Sequence, residues 1–183
     1  TYSIIQGNHN VSFSKYGIQG DNNFVTGHCS DQTSSIYVNN AIAIHSYVGA
    51  DNTIGIGCGS KVFSEKAVSI GENASVGGNS SNSVAIGTDS KVTADAETSI
   101  AIGKSTNVKS IGSLCMMDGA NTDKYATFSI AVGKNAHACR RPNSQTTDDI
   151  CDIALGYNAS AEGLNCIAIG TSSLAKNSGG VAI

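Results

Sequence analysis

The chain has 183 residues, of which only 14% are charged, and its formal net charge is -3. It has no dense run of Lys or Arg and no apolar run near the roughly 18 residues of a membrane span, which excludes nucleic acid as a partner and direct membrane insertion. Tryptophan is absent, proline occurs once and glycine 21 times, a composition that favours many short strands joined by tight turns.

Residues 1–35 contain a weak repeat. The sequence Ile-Gln-Gly-Asn-His-Asn-Val at 5–11 recurs as Ile-Gln-Gly-Asp-Asn-Asn-Phe at 18–24. Terminal coils of a stacked-repeat protein are often atypical, because they shield its open end. Residues 1–35 are therefore predicted to form degenerate N-terminal coils that cap the repeats of residues 36–183.

From residue 42 onwards, a triplet of two aliphatic residues around a small residue recurs, usually followed by glycine. Gly57, Gly71, Gly87 and Gly103 follow one another at nearly constant intervals, which is typical of a solenoid with stacked coils. The pattern predicts an all-β solenoid with coils of about 14 residues and no helix. The triplets are Ile42-Ala43-Ile44, Ile54-Gly55-Ile56, Val68-Ser69-Ile70, Val84-Ala85-Ile86, Ile100-Ala101-Ile102, Ile130-Ala131-Val132, Ile153-Ala154-Leu155, Ile167-Ala168-Ile169 and Val181-Ala182-Ile183.

A second short strand is predicted in each coil, a few positions after the glycine. Val or Ala occupies this place, for example Val92 after Gly87 and Val108 after Gly103. Between the glycine and this strand stands Gly, Asn, Asp or Ser, where the chain must turn and needs a residue that tolerates a left-handed backbone. Each coil is therefore predicted to consist of a strand, a corner, a second strand and a loop.

The triplets also indicate how the coils assemble. Neighbouring residues of a strand face opposite sides, so large aliphatic residues occupy one face and small residues the other. A strand without charge on either face is covered on both, and a coil of this length encloses only one face. The other face is predicted to pack on a second chain, in an obligate homo-oligomer. Candidates for the core between coils or chains are Ile56, Ile70, Ile86, Ile102, Val132, Leu155 and Ile169.

Two longer gaps interrupt the repeat. The interval from Gly103 to Gly133 is about twice the usual one, which leaves room for a degenerate coil around Ile111, and the interval from Gly133 to Gly156 is also long. Insertions are predicted at about 113–127 and 139–151. Because binding residues concentrate on loops held by a rigid scaffold, these gaps supply the candidate partner-binding residues, although simple tolerated bulges remain the alternative. The candidates are Met117, Asp118, Lys124, Tyr125, Lys134, His137, Arg140, Arg141, Asp148 and Asp149.

The best-formed repeats resemble those of a known family. The segment Asn82-Ser83-Val84-Ala85-Ile86-Gly87, with Ser90 and Val92 after it, is followed one coil later by Ser99-Ile100-Ala101-Ile102-Gly103. This pattern resembles the head repeat of trimeric autotransporter adhesins, with the YadA-like head as the nearest likeness, over residues 36–183. The resemblance implies a left-handed parallel β-roll with three chains around one axis. It also implies a place at the tip of a bacterial surface fibre that binds host matrix proteins or other cells.

The chain has six cysteines, more than such adhesins usually contain. In a small polar repeat protein they favour disulfides and an oxidising compartment. Cys139 and Cys151 flank the second insertion, so a bridge between them is the preferred pairing. The alternative is that the thiols are free and fill small positions. No Cys-x-x-Cys spacing occurs, and no metal site is expected.

The sequence therefore predicts an extracellular adhesive head that binds a host matrix protein, a cell-surface protein or a glycan through its outer surface and loops. The alternative is a structural segment of an extracellular filament or a virion fibre. No catalytic residues and no cofactor are expected, because no acid, base and nucleophile converge. The expected location is the cell surface, with an outer-membrane anchor in a part not present here, or a virion surface.

Overall fold

The computed structural model describes residues 5–13, 18–26, 36–138 and 151–183. Within these ranges every regular element is a β-strand and all paired strands are parallel, and no helix there is long and apolar enough to cross a membrane. The strands are β1 (Ile5–Gln6), β2 (Val11–Phe13), β3 (Ile18–Gln19), β4 (Phe24–Thr26), β5 (Ile36–Tyr37), β6 (Ile42–Val48), β7 (Ile54–Val62), β8 (Val68–Ile70), β9 (Ser75–Val76), β10 (Val84–Ile86), β11 (Lys91–Val92), β12 (Ile100–Ile102), β13 (Asn107–Val108), β14 (Leu114–Met116), β15 (Asn121–Thr122), β16 (Ile130–Val132), β17 (His137–Ala138), β18 (Ile153–Leu155), β19 (Ser160–Ala161), β20 (Ile167–Ile169), β21 (Leu174–Ala175) and β22 (Val181–Ala182).

The triplets stack directly on one another. Ala85 pairs with Ser69 of the preceding coil and with Ala101 of the following one, and the same register continues to β22. Backbone hydrogen bonds join neighbouring coils, for example from the amide of Ile100 to the carbonyl of Ser113 at 2.9 Å. The predicted all-β solenoid, with coils of about 14 residues, is confirmed.

The corners have the backbone that the sequence predicts. The backbone angle φ is 54° at Asn73, 56° at Asp89, 54° at Ser105 and 56° at Asn135. Asn and Asp tolerate this left-handed conformation better than other residues with a side chain. The second strands follow these corners, and Val92 on one of them is buried.

The interior of the roll is formed by the small residues of the triplets. Ala85 and Ala101 are fully buried, and the valines of the second strands complete the same core. Ile86 and Ile102, by contrast, point outwards and are half-buried. The narrow space between the two strands of a coil accepts Ala on one wall and Val on the other, so the larger triplet residues lie on the outside.

The N-terminal coils continue the same stack. Ile5 pairs with Ile18, in agreement with the repeat seen in the sequence. Phe24 of β4 pairs with Val11 of β2 and with Ile42 of β6, so this part of the chain lies in register with the triplets.

Residues 113–127, predicted as an insertion, lie in a regular coil. Leu114-Cys115-Met116 pairs with the triplets on either side of it, from β12 to β16. Met117 stands where the other coils have glycine, with φ at 83°. The degenerate coil was expected around Ile111, but Ile111 lies in the loop that ends the preceding coil.

In the five consecutive coils that end at residues 83, 99, 113, 129 and 152, the last residue of the coil is a buried polar residue, and these side chains form a column in the interior. The Oγ of Ser83, Ser99 and Ser113 each accepts a hydrogen bond from the backbone amide one coil further on, at 3.0 to 3.2 Å. Ser129 does the same for the amide of Asp152 at 2.9 Å. Each of these hydroxyls also lies within hydrogen-bond distance of a backbone carbonyl oxygen. The column therefore provides hydrogen bonds for backbone amides and carbonyls that are buried away from water.

Asp152 places a carboxyl group in this column of hydroxyls. It is fully buried, and its Oδ1 accepts the amide of Cys166 at 2.9 Å. Its Oδ2 is buried and has no hydrogen-bond partner among the described residues. Burial raises the pKa of Asp152 to about 6, although the backbone amides of Cys166 and Asn165 oppose the rise.

A glycine follows most triplets because neighbouring coils are too close for a side chain there. At Gly87, φ is 125° and an added Cβ would lie 2.5 Å from the carbonyl oxygen of Gly103. We expect Gly87→Ala to lower the free energy of unfolding by about 2 kcal/mol or more, from backbone strain and this overlap. Chemical denaturation measures the change. Gly78→Ala is the control, because an added Cβ there meets nothing within 4 Å, and equal losses in both variants would contradict the argument.

Candidate functional site

The second strands present a column of mostly polar side chains on the outer surface. The first residue of each strand faces outwards, while the second is buried. Neighbouring residues pair across coils in register, for example Asn121 with Asn107 and with His137. We call this set the outer column, and it consists of Lys61, Ser75, Lys91, Asn107, Asn121, His137, Ser160 and Leu174.

A charged cluster lies beside the outer column on three consecutive coils. The carboxylate of Asp123 lies 3.3 Å from Nε2 of His137 and 3.7 Å from Nζ of Lys109. The interaction with the His137 imidazole, supported by the charge of Lys109, holds the pKa of Asp123 below its usual value against the effect of partial burial. We call Lys109, Asp123 and His137 the charged cluster, in which groups of opposite charge lie together at fixed spacing.

The opposite side of the roll carries two apolar columns, formed by the first and third residues of the triplets. In the third-residue column, Ile86 lies between Ile70 and Ile102, and Met116 continues the column to Val132. These side chains are half-buried in one chain. Continuous apolar surface of this extent is unusual on a soluble monomer and marks an interaction surface.

The repeats match a known family model. The YadA head domain repeat matches two segments, residues 79–106 and 152–173. Two parts of the chain are thus similar to YadA head repeats. Together with the parallel solenoid, these repeats fit a YadA-like trimeric autotransporter head. A comparison with curated proteins finds no match.

The charged cluster falls between the two matched YadA head segments, in the part where the sequence predicts partner-binding residues. Of those candidates, His137 belongs to the cluster. Lys124 and Tyr125 lie in the loop after β15, where Tyr125 is 58% exposed and Nζ of Lys124 lies 6.0 Å from the centre of its ring.

The other described candidates lie apart from the charged cluster. Met117, 56% exposed, and Asp118 lie at the corner after β14, and Lys134 occupies the matching corner after β16. The structure therefore distributes the described candidates between a corner and the outer face, and their roles in binding stay predictions. The candidates outside the described residues are Arg140, Arg141, Asp148 and Asp149.

Lys109 and Asp123 are the members of the charged cluster that the sequence analysis did not select. Each directly follows a second strand, β13 and β15, so they occupy the same place in consecutive coils. An alignment of this chain's repeats that included Leu114–Met116 as a triplet would have placed them side by side.

The cysteines fall into buried and exposed groups. Cys115 and Cys166 are buried, and burial raises the pKa of the Cys115 thiol to about 12, which makes it a poor nucleophile at neutral pH. Cys58 and Cys151 are exposed, and no disulfide is seen among the described residues. Cys139 lies outside those residues, so its bridge to Cys151 stays a prediction.

Proposed function

We propose that this chain is the adhesive head of a trimeric surface fibre and binds a host matrix protein, a cell-surface protein or a glycan. The observation that carries the proposal is the match of YadA head repeats to two segments of a parallel roll. On this proposal the head is displayed at the cell surface and acts by binding, without catalysis.

Three copies of the chain pack through the apolar columns. The support for this arrangement is that the large aliphatic side chains face outwards in every coil from β6 to β20, while the interior is filled by small residues. Removing such columns from water stabilises an assembly by roughly 25 cal/mol per Å² of apolar surface. Because the two strands of a coil face opposite sides, packing through the triplets leaves the outer column accessible.

The partner binds on the outer face, at the charged cluster and the neighbouring loops. His137 lies in a strand, and Lys109 and Asp123 directly follow strands and pair with each other, so these side chains lose little conformational entropy on binding. The exposed ring of Tyr125 on the adjacent loop adds apolar contact, as aromatic residues do in many interfaces.

The proposal is tested by binding of the assembled protein to immobilised matrix proteins and to host cells. We expect the double variant Lys109→Ala, Asp123→Ala to bind about tenfold more weakly, because it removes two charges of the cluster. Lys91→Ala is the control, since Lys91 lies in the outer column two coils before Asp123.

A variant without residues 140–149 tests the second predicted loop in the same assay. Unchanged binding by both variants would show that neither the charged cluster nor this loop is the receptor site. End-to-end fibres of the purified protein with no binding to any matrix protein or cell would instead favour the filament role.

A further inference from the structure

A groove lies where the coils change length. The coil from Ile42 to its partner Ile54 is shorter than the coil from Ile54 to Val68, and the coil from Val68 to Val84 is longer again. Between the first two of these coils, the added residues lie at the corner before the second strand, where the single residue His45 stands opposite residues 57–59. In the third coil, the added residues lie in the loop after the second strand, β9. The loop of the third coil is therefore longer than the equivalent loops of the two preceding coils, and residues of all three loops line an open groove of about 610 Å³.

An aromatic ring forms part of the groove wall. Phe63 directly follows the second-strand half of β7 and is 49% exposed. Its ring packs against that of Tyr47, with the centres 5.5 Å apart and the planes tilted by 42°. The contact holds the Phe63 ring in place and leaves part of it accessible to a ligand.

The charged groups of the groove are hydrogen-bond acceptors. Asp51 and Glu65 contribute carboxylates, and no Lys or Arg is among the described lining residues. Asn79 donates one hydrogen bond from its Nδ2 to the carboxylate of Asp95 at 3.1 Å, and its carbonyl oxygen can accept another from a ligand. The Oγ of Ser64 is already engaged, as it donates to the carbonyl of Gly77.

The position of Asp51 is fixed by the preceding coil. Its Oδ1 accepts the backbone amide of Asn39 at 2.7 Å, and its Oδ2 accepts Nδ2 of the same residue at 3.1 Å. Each carboxylate oxygen has two lone pairs, so both oxygens can accept a further hydrogen bond from a ligand. The groove thus offers fixed acceptors beside a half-exposed aromatic ring.

We propose that this groove binds a basic side chain, arginine or lysine, in an extended segment of a partner protein. A guanidinium or ammonium group only donates hydrogen bonds, so it matches a groove whose charged groups accept them, and it is attracted to the face of an aromatic ring. Its positive charge is complementary to Asp51 and Glu65. This site is separate from the charged cluster, and the proposal stands whether or not the chain is an adhesive head.

The test uses a fluorescein-labelled tetra-arginine peptide and measures its fluorescence anisotropy with the assembled protein. We expect binding that weakens as salt rises, and a loss of about fivefold in both Glu65→Gln and Phe63→Leu. Glu97→Gln is the matched control, because Glu97 holds the same place at the end of a longer coil: the carbonyl of each accepts a backbone amide one coil further on. Its affinity should equal that of the unmodified protein.

Three results would overturn the proposal. The first is no binding of the peptide at millimolar concentration. The second is an equal loss in Glu65→Gln and Glu97→Gln, which would mean that the peptide responds only to the overall charge. The third is undiminished binding in Phe63→Leu and Glu65→Gln, which would place the peptide elsewhere.

Discussion

Replacing Asp152 with asparagine is expected to raise the free energy of unfolding at pH 7.5 by about 3 kcal/mol, since each unit of pKa difference corresponds to about 1.4 kcal/mol between the two protonation states. The carboxyl is fully buried, and its pKa is raised from the usual 3.8 to about 6. An amide fits this position, because Asn23 occupies the equivalent place near the N-terminus, accepting the amide of Ala41 and donating to the carbonyl of Val38.

The effect of Asp152 depends on pH in a defined direction. Below about pH 4 the carboxyl is protonated in both the folded and the unfolded chain, so its burial does not lower the free energy of unfolding. As pH rises from about 4 to 6, the unfolded chain loses the proton while the folded chain still holds it, and the stability of the folded state falls. Above about pH 6 the carboxyl is ionised in both states, and the free energy of unfolding falls no further from this cause.

Urea unfolding at fixed protein concentration, at pH 4 and at pH 7.5, measures this difference. Asp152→Asn should show a gain at pH 7.5 that nearly disappears at pH 4. Asp89→Asn is the control, because Asp89 lies at a corner where Asn73 and Asn135 have nearly the same backbone. If the gain at pH 7.5 were the same at pH 4, the buried charge would not be its cause.

A charge on the apolar columns is expected to abolish assembly. In the variant Ile86→Asp, Ile102→Asp, two carboxylates per chain would enter the interface between chains without partners, at a cost of several kcal/mol each. The fold of one chain should persist, because Ala85 and Ala101 point to the opposite side and fill the interior. Multi-angle light scattering should give a trimer for the unmodified protein and a monomer for this variant.

The control for assembly carries the same change on the outer face. Lys91→Asp places a carboxylate on an exposed position of the outer column, so the trimer should remain. An unmodified protein that is monomeric, or a trimer that survives both substitutions in the apolar columns, would refute packing through these columns.

The sequence predicts the fold well because the restraint on each coil is local and repeated. Triplet, corner and second strand recur together, and the positive φ at Asn73 and Asp89 follows directly from the type of turn. Which triplet face closes the coil could not be decided from alternation, because both faces are apolar. The size of the interior decides it, and that size depends on how closely the first and second strands approach.

The errors have equally local causes. The coil at Leu114–Met116 was not predicted because Met117 replaces the glycine and Cys115 the usual alanine. Cys115 nevertheless pairs in register with Ala131, and Met117 has a positive φ of 83°. Asp152 looks like one more acidic residue at the end of a loop. Asp152 is buried because it follows Ser129 in the column of hydroxyls. Predicting that position requires the exact length of the preceding coil.

The stacking of coils determines how the roll responds to mechanical force. Hydrogen bonds between coils point along the stack, so tension applied at one end loads the contacts one coil at a time, and the terminal coil peels off before the next is strained. Each coil of about 14 residues occupies about 5 Å of the stack, yet spans roughly 45 Å when extended. A head built in this way can lengthen about ninefold in small steps, which would dissipate a sudden pull.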